Sequence, residues 1–412
     1  MSPLGIVVLI VLIDLLGFSV VMPLLAPFAK QYEFSDLQVG LLFSAYPLCQ
    51  LIAGPILGRL SDRFGRRPLL IFSQAGTALS FLILGLSSRF SIMLLARMLD
   101  GASGGNILVA QAYVADVTKP EDRARGMGLI GMAFGLGFVF GPLLGGLLIG
   151  LPVSDAWRLR LPFLVAAGFS SLAWFLVLFR LPESISKDSP TREAARVLSW
   201  RGLVDTVTLP GIGSLITLGF LSVTAFAALE GTLALFLQRR MGWGPSSAAF
   251  AFAGLGFLSA MVQGGLIRRL VPRFGEPRLI GSGIVIVAVG FAALALISTT
   301  PGLTGALLLV GVGQGLLGPS VSGLLSRLTP GSEQGAVFGA YSSAQTLARI
   351  ISYSLANVLL TRWDGAPFVF GFAVYVVAGL VAALVLGHLS SQLKPKPSGK
   401  SVESVSAEGA LD

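Results

Sequence analysis

The chain has 412 residues, of which 54% are hydrophobic and only 12% are charged, and its formal net charge is +9. The charged share is about half of that in soluble domains, which excludes a chain built from several soluble domains. The mean hydropathy of +0.83 excludes a disordered chain. Cys49 is the only cysteine, which excludes a disulfide scaffold. The composition indicates a polytopic membrane protein.

A helix that spans a bilayer needs about 20 mostly apolar residues. Twelve stretches meet this requirement, and they lack the alternation of a membrane barrel. We therefore predict an all-α membrane protein with twelve spans. The first is a span and not a signal peptide, because no positive segment precedes it. The spans are expected over residues 4–28, 38–58, 68–88, 91–115, 126–150, 160–180, 209–237, 246–267, 279–298, 302–326, 335–361 and 366–389.

Lysine and arginine set the expected orientation. If the N-terminus faces the cytoplasm, 20 of the 29 basic residues lie in cytoplasmic loops and the C-terminal tail, 7 lie outside, and Arg97 and Arg349 lie within spans. Since basic residues accumulate on the cytoplasmic side, both termini are predicted to be cytoplasmic. The positive charge is thus a topology signal, and no soluble basic module points to nucleic acid.

The spans form two groups of six, separated by the polar segment 182–208. The sequences GPILGRLSDRFGRRP (54–68) and GGLIRRLVPRFGEPR (264–278) each lie between the second and third span of their group, 210 positions apart. We predict two six-helix halves, 1–181 and 209–390, related by a pseudo-two-fold axis with a central site between them. A cytoplasmic loop over 182–208, with a short surface helix over 191–201, joins them, and a disordered cytoplasmic tail over 391–412 follows.

The connection between spans 2 and 3 holds a cluster of glycines and charges, namely Gly58, Asp62, Arg63, Gly65, Arg66 and Arg67. The glycines allow close approach and a tight turn. Asp62 is expected to accept hydrogen bonds at a helix N-terminus, and the arginines to pair with acids across a cytoplasmic gate. The alternative is that the arginines only fix the topology.

Span 5 carries a second cluster, formed by Gly137, Gly141, Pro142, Gly145 and Gly146. The proline removes a backbone donor and bends the helix, and the glycines admit a neighbouring helix. Ordinary helix packing explains the cluster as well as a role in transport does.

Ionisable side chains at membrane depth are costly and are therefore candidates for function. There are five, Asp14, Arg97, Asp100, Glu230 and Arg349. Asp14 is predicted to exchange a proton, or else to pair with an arginine. Arg97 and Asp100 are three residues apart and either pair with each other or leave Arg97 facing a cavity. Glu230 carries a proton or attracts a cationic substrate, or else only forms an ion pair with Arg349. Arg349 is expected within reach of Glu230 or Asp14.

These motifs resemble those of the major facilitator superfamily. The loop cluster resembles the signature of this superfamily between spans 2 and 3. Its fourth-span motif is matched by Arg97-x-x-Asp100-Gly101-x-x-Gly104. The span 5 cluster resembles the motif of the twelve-span drug:proton antiporter branch. The segment 42–68 is similar to tetracycline efflux proteins, and the second half to vertebrate tetracycline-transporter-like proteins. Ser80 departs from the former, which carry an acid at that point of span 3 and another in span 9.

The resemblance implies a central cavity with polar lining residues. The candidates are Tyr46, Gln50, Asn106, Gln111 and Gln314. Polar residues in spans also bond between helices, which is the alternative for each of them.

Other chemistries are excluded. The G-x-S-x-G match at 101–105 lies in a span and not at a strand-to-helix turn, so a hydrolase is excluded. Gly399-Lys400-Ser401 lacks the earlier glycine of a phosphate loop, and one histidine with one cysteine cannot form a metal cluster. We predict that the protein is not an enzyme, needs no cofactor or metal, and draws energy from the proton gradient.

The sequence thus predicts a proton-coupled exporter of amphipathic small molecules, a monomer in the inner membrane that works by alternating access. One alternative is an exporter or uniporter of an endogenous organic anion, sugar or lipid, which Arg97 and Arg349 favour. The other is a membrane sensor that does not transport.

Overall fold

The computed structural model describes residues 2–119, 122–184, 211–330 and 333–392, and those residues fold into a bundle of long helices without strands. Helices α1, α2 and α3 cover Pro3–Val21, Asp36–Phe64 and Arg66–Leu86. Helix α4 covers Phe90–Ser103 and, after a break, Asn106–Val117, and helices α5 and α6 cover Arg123–Ile149 and Leu161–Arg180. Helices α7 to α12 cover Ile212–Met241, Pro245–Met261 continued to Phe274, Glu276–Leu296, Thr300–Leu328, Gln334–Leu360 and Ala366–Gln392. Short helices over Leu25–Lys30 and Asp155–Arg158 follow α1 and precede α6.

The twelve predicted spans are confirmed as twelve helices. Eleven of them are long and apolar enough to cross a membrane by hydropathy alone. The exception is α11, which has 27 residues and so the length to span. Its mean hydropathy is lowered by polar residues such as Gln345, Thr346 and Arg349, two of which line the cavity described below.

Helix ends follow local sequence signals. Ser35 and Gln38 form a capping box at the start of α2, with the Ser35 side chain accepting from the Gln38 amide and the Gln38 side chain accepting from the Ser35 amide. Gly65 ends α2 with φ 104° and Gly275 ends α8 with φ 75°. Both values lie in a region that favours glycine, so the predicted tight turn occurs in both halves.

The internal repeat extends beyond the loop sequence. In α3, the Ser80 hydroxyl donates to the carbonyl of Ala96 in α4 at 2.6 Å. A Cβ placed on Gly290 in α9 would lie 3.1 Å from the carbonyl of Ala306 in α10. Both residues of the second pair are 210 positions after those of the first, so the same helix contact is made twice. Ser80 is therefore a packing residue between α3 and α4.

An ion pair at the other end of the same two helices is also repeated, but with its charges exchanged. In the first half, Arg66 at the start of α3 pairs with Asp116 at the end of α4 at 3.1 Å. In the second half, Glu276 at the start of α9 pairs with Arg327 at the end of α10 at 3.2 Å. The substitution of Arg66 by Glu276 in the repeat is thus balanced by an opposite change in the partner.

The two halves meet along α2 with α11 and α5 with α8. We call the side of the membrane that holds both described chain ends the terminal face, and the other side the opposite face. Near the opposite face, the Ser44 hydroxyl lies 2.9 Å from that of Ser354, and Ser246 donates to the Gly146 carbonyl at 2.9 Å. Toward the terminal face, several glycines of α2, α5 and α8 make no contact with the other half, because a Cβ on any of them would meet nothing within 4 Å, namely Gly58, Gly128, Gly131, Gly264 and Gly265.

One ion pair joins the halves in the part of the chain that the structure describes. Asp36, buried at the start of α2, lies 2.5 Å from Arg239 at the end of α7 and 2.7 Å from Lys30 of its own half. Arg239 also donates to the carbonyl of Leu360 and lies 3.8 Å from Asp364. This cluster fastens the opposite face of the bundle.

We expect Asp36→Asn to shift the protein toward a state that is open at the opposite face. The change removes a charged contact present only when this face is closed, worth about 1–2 kcal/mol, or roughly 5- to 30-fold in the ratio of the two states. Spin labels at positions 31 and 361, introduced in a Cys49→Ser background, measure the distance between the halves. Asp155→Asn, on the same face without a contact between halves, is the control, and equal distance distributions in both variants would contradict the prediction.

Parts of the predicted organisation fall on residues that are not described. The connecting loop, including the surface helix predicted over 191–201, lies outside the described residues from 185 to 210, as does the predicted tail from 393 onward. Helix α12 continues to Gln392, two residues into the segment predicted as tail.

Candidate functional site

A cavity of about 250 Å³ lies between the two halves at mid-membrane. Its walls come from seven helices: α1 to α5 of the first half, and α7 and α11 of the second. The five charged residues singled out from the sequence all line it, and so do Tyr46, Gln50 and Asn106. Several aromatic side chains complete the lining, namely Phe18, Phe43, Phe81, Phe134, Phe138 and Tyr353. The cavity therefore combines an apolar wall with a few charges, as small-molecule sites do.

Asp14 is the carboxylate of α1 in this cavity, and it is buried. Its Oδ2 accepts a hydrogen bond from the Asn106 side chain, and its Oδ1 has no hydrogen-bond partner. Asn106 is positioned by a break in α4 at Gly104 and Gly105, after which the helix restarts. No lysine or arginine of the described chain lies within 4.0 Å of Asp14, so its negative charge has no direct counterion.

Arg97 and Asp100 form a buried ion pair on α4. The Arg97 guanidinium lies 2.8 Å from Asp100, donates to the Leu42 carbonyl at 3.2 Å, and stands 4.9 Å from the centre of the Tyr46 ring. The three-residue spacing places both side chains on one helical face, as the sequence indicated. Of the two alternatives left open for this pair, the structure shows mutual pairing, although both residues also line the cavity.

Glu230 of α7 is buried and is linked to α11 through a tyrosine. The Tyr353 hydroxyl donates to Glu230 Oε2 at 2.9 Å. Arg349 lies one turn before Tyr353 on α11 and attracts Glu230 electrostatically, although the two form no ion pair within 4.0 Å. The predicted neighbourhood of Arg349 and Glu230 is thus found as a shared cavity wall, with Tyr353 in direct contact.

Tyr46 and Gln50 connect α2 to the break in α4. Gln50 donates to the Tyr46 hydroxyl at 3.0 Å and to the Gly104 carbonyl at 3.1 Å. That carbonyl is available because the helix is interrupted there. A Cβ on Gly101 would collide with the Tyr46 carbonyl, so the glycines of the fourth-span motif let α2 and α4 approach closely.

Two predicted lining residues do not line the cavity. Gln314 points between α10 and α12, where it donates to the Tyr375 hydroxyl at 2.7 Å. Gln111 lies on the second segment of α4, half-buried and away from the cavity wall. Gln314 thus follows the alternative given for polar residues in spans, a bond between helices.

Three residues at the site were missed by sequence reasoning. Tyr353 contacts Glu230, Thr77 of α3 lines the cavity, and Gln74 lies one turn away from Thr77 with a buried side-chain oxygen that has no partner. The spacing of Arg349 and Tyr353, four residues apart, places them on one face of α11 and was the available signal for Tyr353.

The span 5 cluster packs α5 against α1. The Ser19 hydroxyl donates to the Gly137 carbonyl at 2.6 Å, and a Cβ on Gly141 would lie 2.8 Å from Ser19 Cβ and 3.0 Å from its carbonyl carbon. On another side of α5, Gly146 contacts Phe250 of α8 in the second half. The glycines therefore set both the position of α1, which carries the proton candidate, and a contact between the halves.

We expect Gly141→Ala to destabilise the protein and to abolish transport, because the added methyl group forces α1 and α5 apart. The cost is about 1–3 kcal/mol, as for other overpacked interfaces. The matched control is Gly131→Ala on the same helix, where a Cβ meets nothing within 4 Å. Thermal unfolding in detergent checks the first effect, and equal midpoints for the two variants would contradict the prediction.

The loop motif at the terminal face acts within the first half and not across the halves. Arg66 pairs with Asp62 at 2.6 Å and with Asp116, and Arg67 donates to the Leu178 carbonyl at 2.6 Å. Glu183 accepts from the backbone amides of Arg66 and Arg67.

One expectation for this motif is wrong, and the other stays a prediction. Asp62 lies in the last turn of α2, where no free amides point to it, and Glu183 accepts the hydrogen bonds at the start of α3 instead. The arginine pairs of this state lie inside one half, where α4 and α6 are the neighbours of α3. Pairing across a cytoplasmic gate stays a prediction for a state that is closed at the terminal face. Arg63 stands over the ring of Phe64, 5.3 Å from its centre.

Among the described residues, no group of three or more His, Cys, Asp or Glu side chains converges as a metal site would require. The polar groups of the cavity are few and separated by aromatic rings, an arrangement that fits an amphipathic organic molecule.

Comparison with known proteins agrees with this geometry. A family model described as "Major Facilitator Superfamily" matches residues 7–353. The tetracycline resistance protein, class C, of Escherichia coli is 31% identical over 89% of this chain and 93% of that protein. Multidrug resistance protein 2 of Bacillus subtilis is 30% identical over 90% and 92%. The crystal structure of the human organic anion transporter MFSD10 (TETRAN) superposes with a TM-score of 0.69 at 25% identity, covering 92% of this chain and 98% of that one.

Proposed function

The chain belongs to the major facilitator superfamily, and we propose that it is a proton-coupled exporter of amphipathic small molecules. It is a multi-pass membrane transporter and not an enzyme. In the proposal, the moving bodies are the halves 1–181 and 209–390, linked by 182–208, and they rock about the central cavity to expose it to each side in turn. The protein needs no cofactor and uses the proton gradient as its energy source.

The observation that carries the proposal is the state of Asp14. Three carboxyl groups and two guanidinium groups line the cavity. Arg97 is committed to Asp100, and Glu230 accepts a hydrogen bond from the Tyr353 hydroxyl. Asp14 and Glu230 both lack an ion pair in the described chain, but Asp14 contacts no hydroxyl group, and its Oδ1 has no hydrogen-bond partner. Burial disfavours an unpaired charge, so a proton or a cationic group of a substrate neutralises Asp14. Competition between these two ligands for one carboxylate couples export to proton entry.

The proposed direction of transport rests on the distribution of charge and on the shape of the bundle. The terminal face is assigned to the cytoplasm because most lysines and arginines of the chain lie on that side. The halves are fastened at the opposite face by Asp36 and Arg239 and separate toward the terminal face. In this orientation the cavity takes up substrate from the cytoplasm. The proposed location is the inner membrane, where the protein acts as a monomer.

The relatives support drugs as substrates. Two are described as a tetracycline resistance protein and a multidrug resistance protein. An aromatic-lined cavity with isolated charges favours planar, amphipathic molecules of this kind.

The test uses proteoliposomes and the cationic dye ethidium. With the interior more acidic than the medium, protons leave through the antiporter and ethidium enters, so we expect accumulation that stops when nigericin and potassium collapse the gradient. Liposomes without protein are the control. Ethidium entry at the same rate with and without the proton gradient would count against proton coupling and in favour of the uniporter alternative.

A further inference from the structure

Arg349 is the cavity cation without a direct partner. It lies mid-way along α11, half-buried, and faces the same space as Asp14 and Glu230. Within the described part of the chain its guanidinium makes no ion pair within 4.0 Å and no hydrogen bond. Five N–H donors are therefore directed at the cavity, where a lone arginine at membrane depth is costly.

Arg97, the other arginine of this cavity, has protein partners for its guanidinium. Its guanidinium is held by Asp100, the Leu42 carbonyl and the face of Tyr46, and only 2% of the residue is exposed. The two arginines were equal candidates for binding an anion on sequence grounds. Their surroundings separate them, since Arg97 is occupied by the protein and Arg349 is available to a ligand.

Three cavity charges of the described chain have no ion pair, and one of them, Glu230, is held by the Tyr353 hydroxyl. The other two are opposite in sign and lie in opposite halves. Asp14 belongs to α1 and Arg349 to α11, and aromatic residues of both halves, among them Phe18, Phe43 and Tyr353, line the space that the two charges share. A ligand that uses both charges therefore contacts both moving bodies of the transporter.

We infer that the preferred substrates are zwitterionic amphiphiles, whose anionic group binds Arg349 and whose cationic group binds Asp14. The inference rests on the proposed function, since it names the substrate class of the same cavity. The aromatic or apolar body of the substrate lies against the rings between the two charges. Arg349 is thus a specificity-determining residue, and Asp14 is shared between substrate and proton.

Simple ions fit this cavity less well. A plain anion on Arg349 is repelled by the nearby carboxylates Asp14, Asp100 and Glu230, and gains nothing from the proton exchange at Asp14. A plain cation on Asp14 leaves the Arg349 guanidinium without a partner after water is displaced, which costs free energy. A zwitterion satisfies both groups, and its cationic end still competes with the proton.

Two dyes with one ring system separate these cases. Rhodamine 110 carries a cationic xanthene and a free carboxylate, and rhodamine 123 is its methyl ester and carries only the positive charge. Fluorescence anisotropy of each dye with the purified full chain in detergent gives its Kd, with protein-free micelles as background. We expect wild-type protein to bind rhodamine 110 roughly tenfold to a hundredfold more tightly than the ester, the worth of a charged hydrogen-bonded pair.

Variants of Arg349 identify the group responsible. Arg349→Gln is expected to remove the preference for the zwitterion, because rhodamine 110 loses its cationic partner and the ester no longer leaves a guanidinium unpaired. Arg349→Lys is expected to restore part of the preference. The control is Arg362→Gln, an exposed arginine beyond the end of the same helix. The wild-type comparison needs no variant, so it stands even if a variant fails to fold.

The outcomes distinguish this inference from the proposed function. Equal affinity for the two dyes, no binding of either dye, or a preference that survives Arg349→Gln overturns the inference. Proton release into an unbuffered solution on dye binding tests coupling separately. A preference for the zwitterion without proton release supports the substrate class and contradicts proton antiport. Proton release without this preference supports proton antiport and contradicts the substrate class.

Discussion

Asp14→Asn is expected to abolish proton-driven accumulation of substrate and to weaken the binding of cationic substrates. Asparagine resembles the protonated carboxyl in shape and has no charge to exchange, so the variant remains in the state that a proton would produce. Ethidium accumulation driven by an acid interior should fall to the level of protein-free liposomes. Exchange of labelled against unlabelled dye across the membrane needs no net proton movement. It should persist only at higher dye concentrations, because the dye cation has lost the carboxylate that binds it.

The control for this variant is Asp155→Asn, the same change at a carboxylate that is 91% exposed near the opposite face. It is expected to accumulate ethidium at the wild-type rate. Full accumulation by Asp14→Asn would place the proton site elsewhere in the cavity, and Glu230, held by the Tyr353 hydroxyl, is the next carboxyl to replace. Exchange by Asp14→Asn with the wild-type affinity for the dye would show that Asp14 carries the proton without binding the cation of the substrate.

The sequence predicted those features that depend on one helix at a time. Span lengths follow from hydropathy, and the pairing of Arg97 with Asp100 follows from their three-residue spacing. The repeat fixed the equivalence of the turns at Gly65 and Gly275, which the backbone angles bear out.

Contacts between helices were harder to predict, for a physical reason. A helix in lipid is apolar on most of its surface, so its sequence encodes its rotation about its own axis weakly. Gln314 was placed in the cavity and instead bonds to Tyr375, 61 positions away. Tyr353 was overlooked although it bridges to Glu230 over 123 positions. The hydrogen bonds from the start of α3 to Glu183 likewise depend on how the end of α6 folds back.

Arg97→Gln is expected to destabilise the protein more than any exposed charge substitution, because it leaves the Asp100 carboxylate buried without its cation. Breaking a buried ion pair on one side costs about 3–5 kcal/mol. Asp100→Asn should cost a similar amount, because it leaves the Arg97 guanidinium buried without its carboxylate. The double variant Arg97→Gln, Asp100→Asn replaces both charges by neutral groups of similar shape and should recover most of the loss. Unfolding in SDS, followed by tryptophan fluorescence, gives the four free energies of the cycle.

The chain provides a matched pair for comparison. Asp155 and Arg158 have the same residue types at the same three-residue spacing, 3.0 Å apart, but are 91% and 47% exposed. Their coupling free energy is expected to be at most about 1 kcal/mol, as for other exposed pairs. A coupling of Arg97 with Asp100 as small as this would mean that water in the cavity screens the pair. Asp100 would then be as available for protonation as Asp14, and the assignment of a single proton-exchanging carboxyl in the first half would no longer hold.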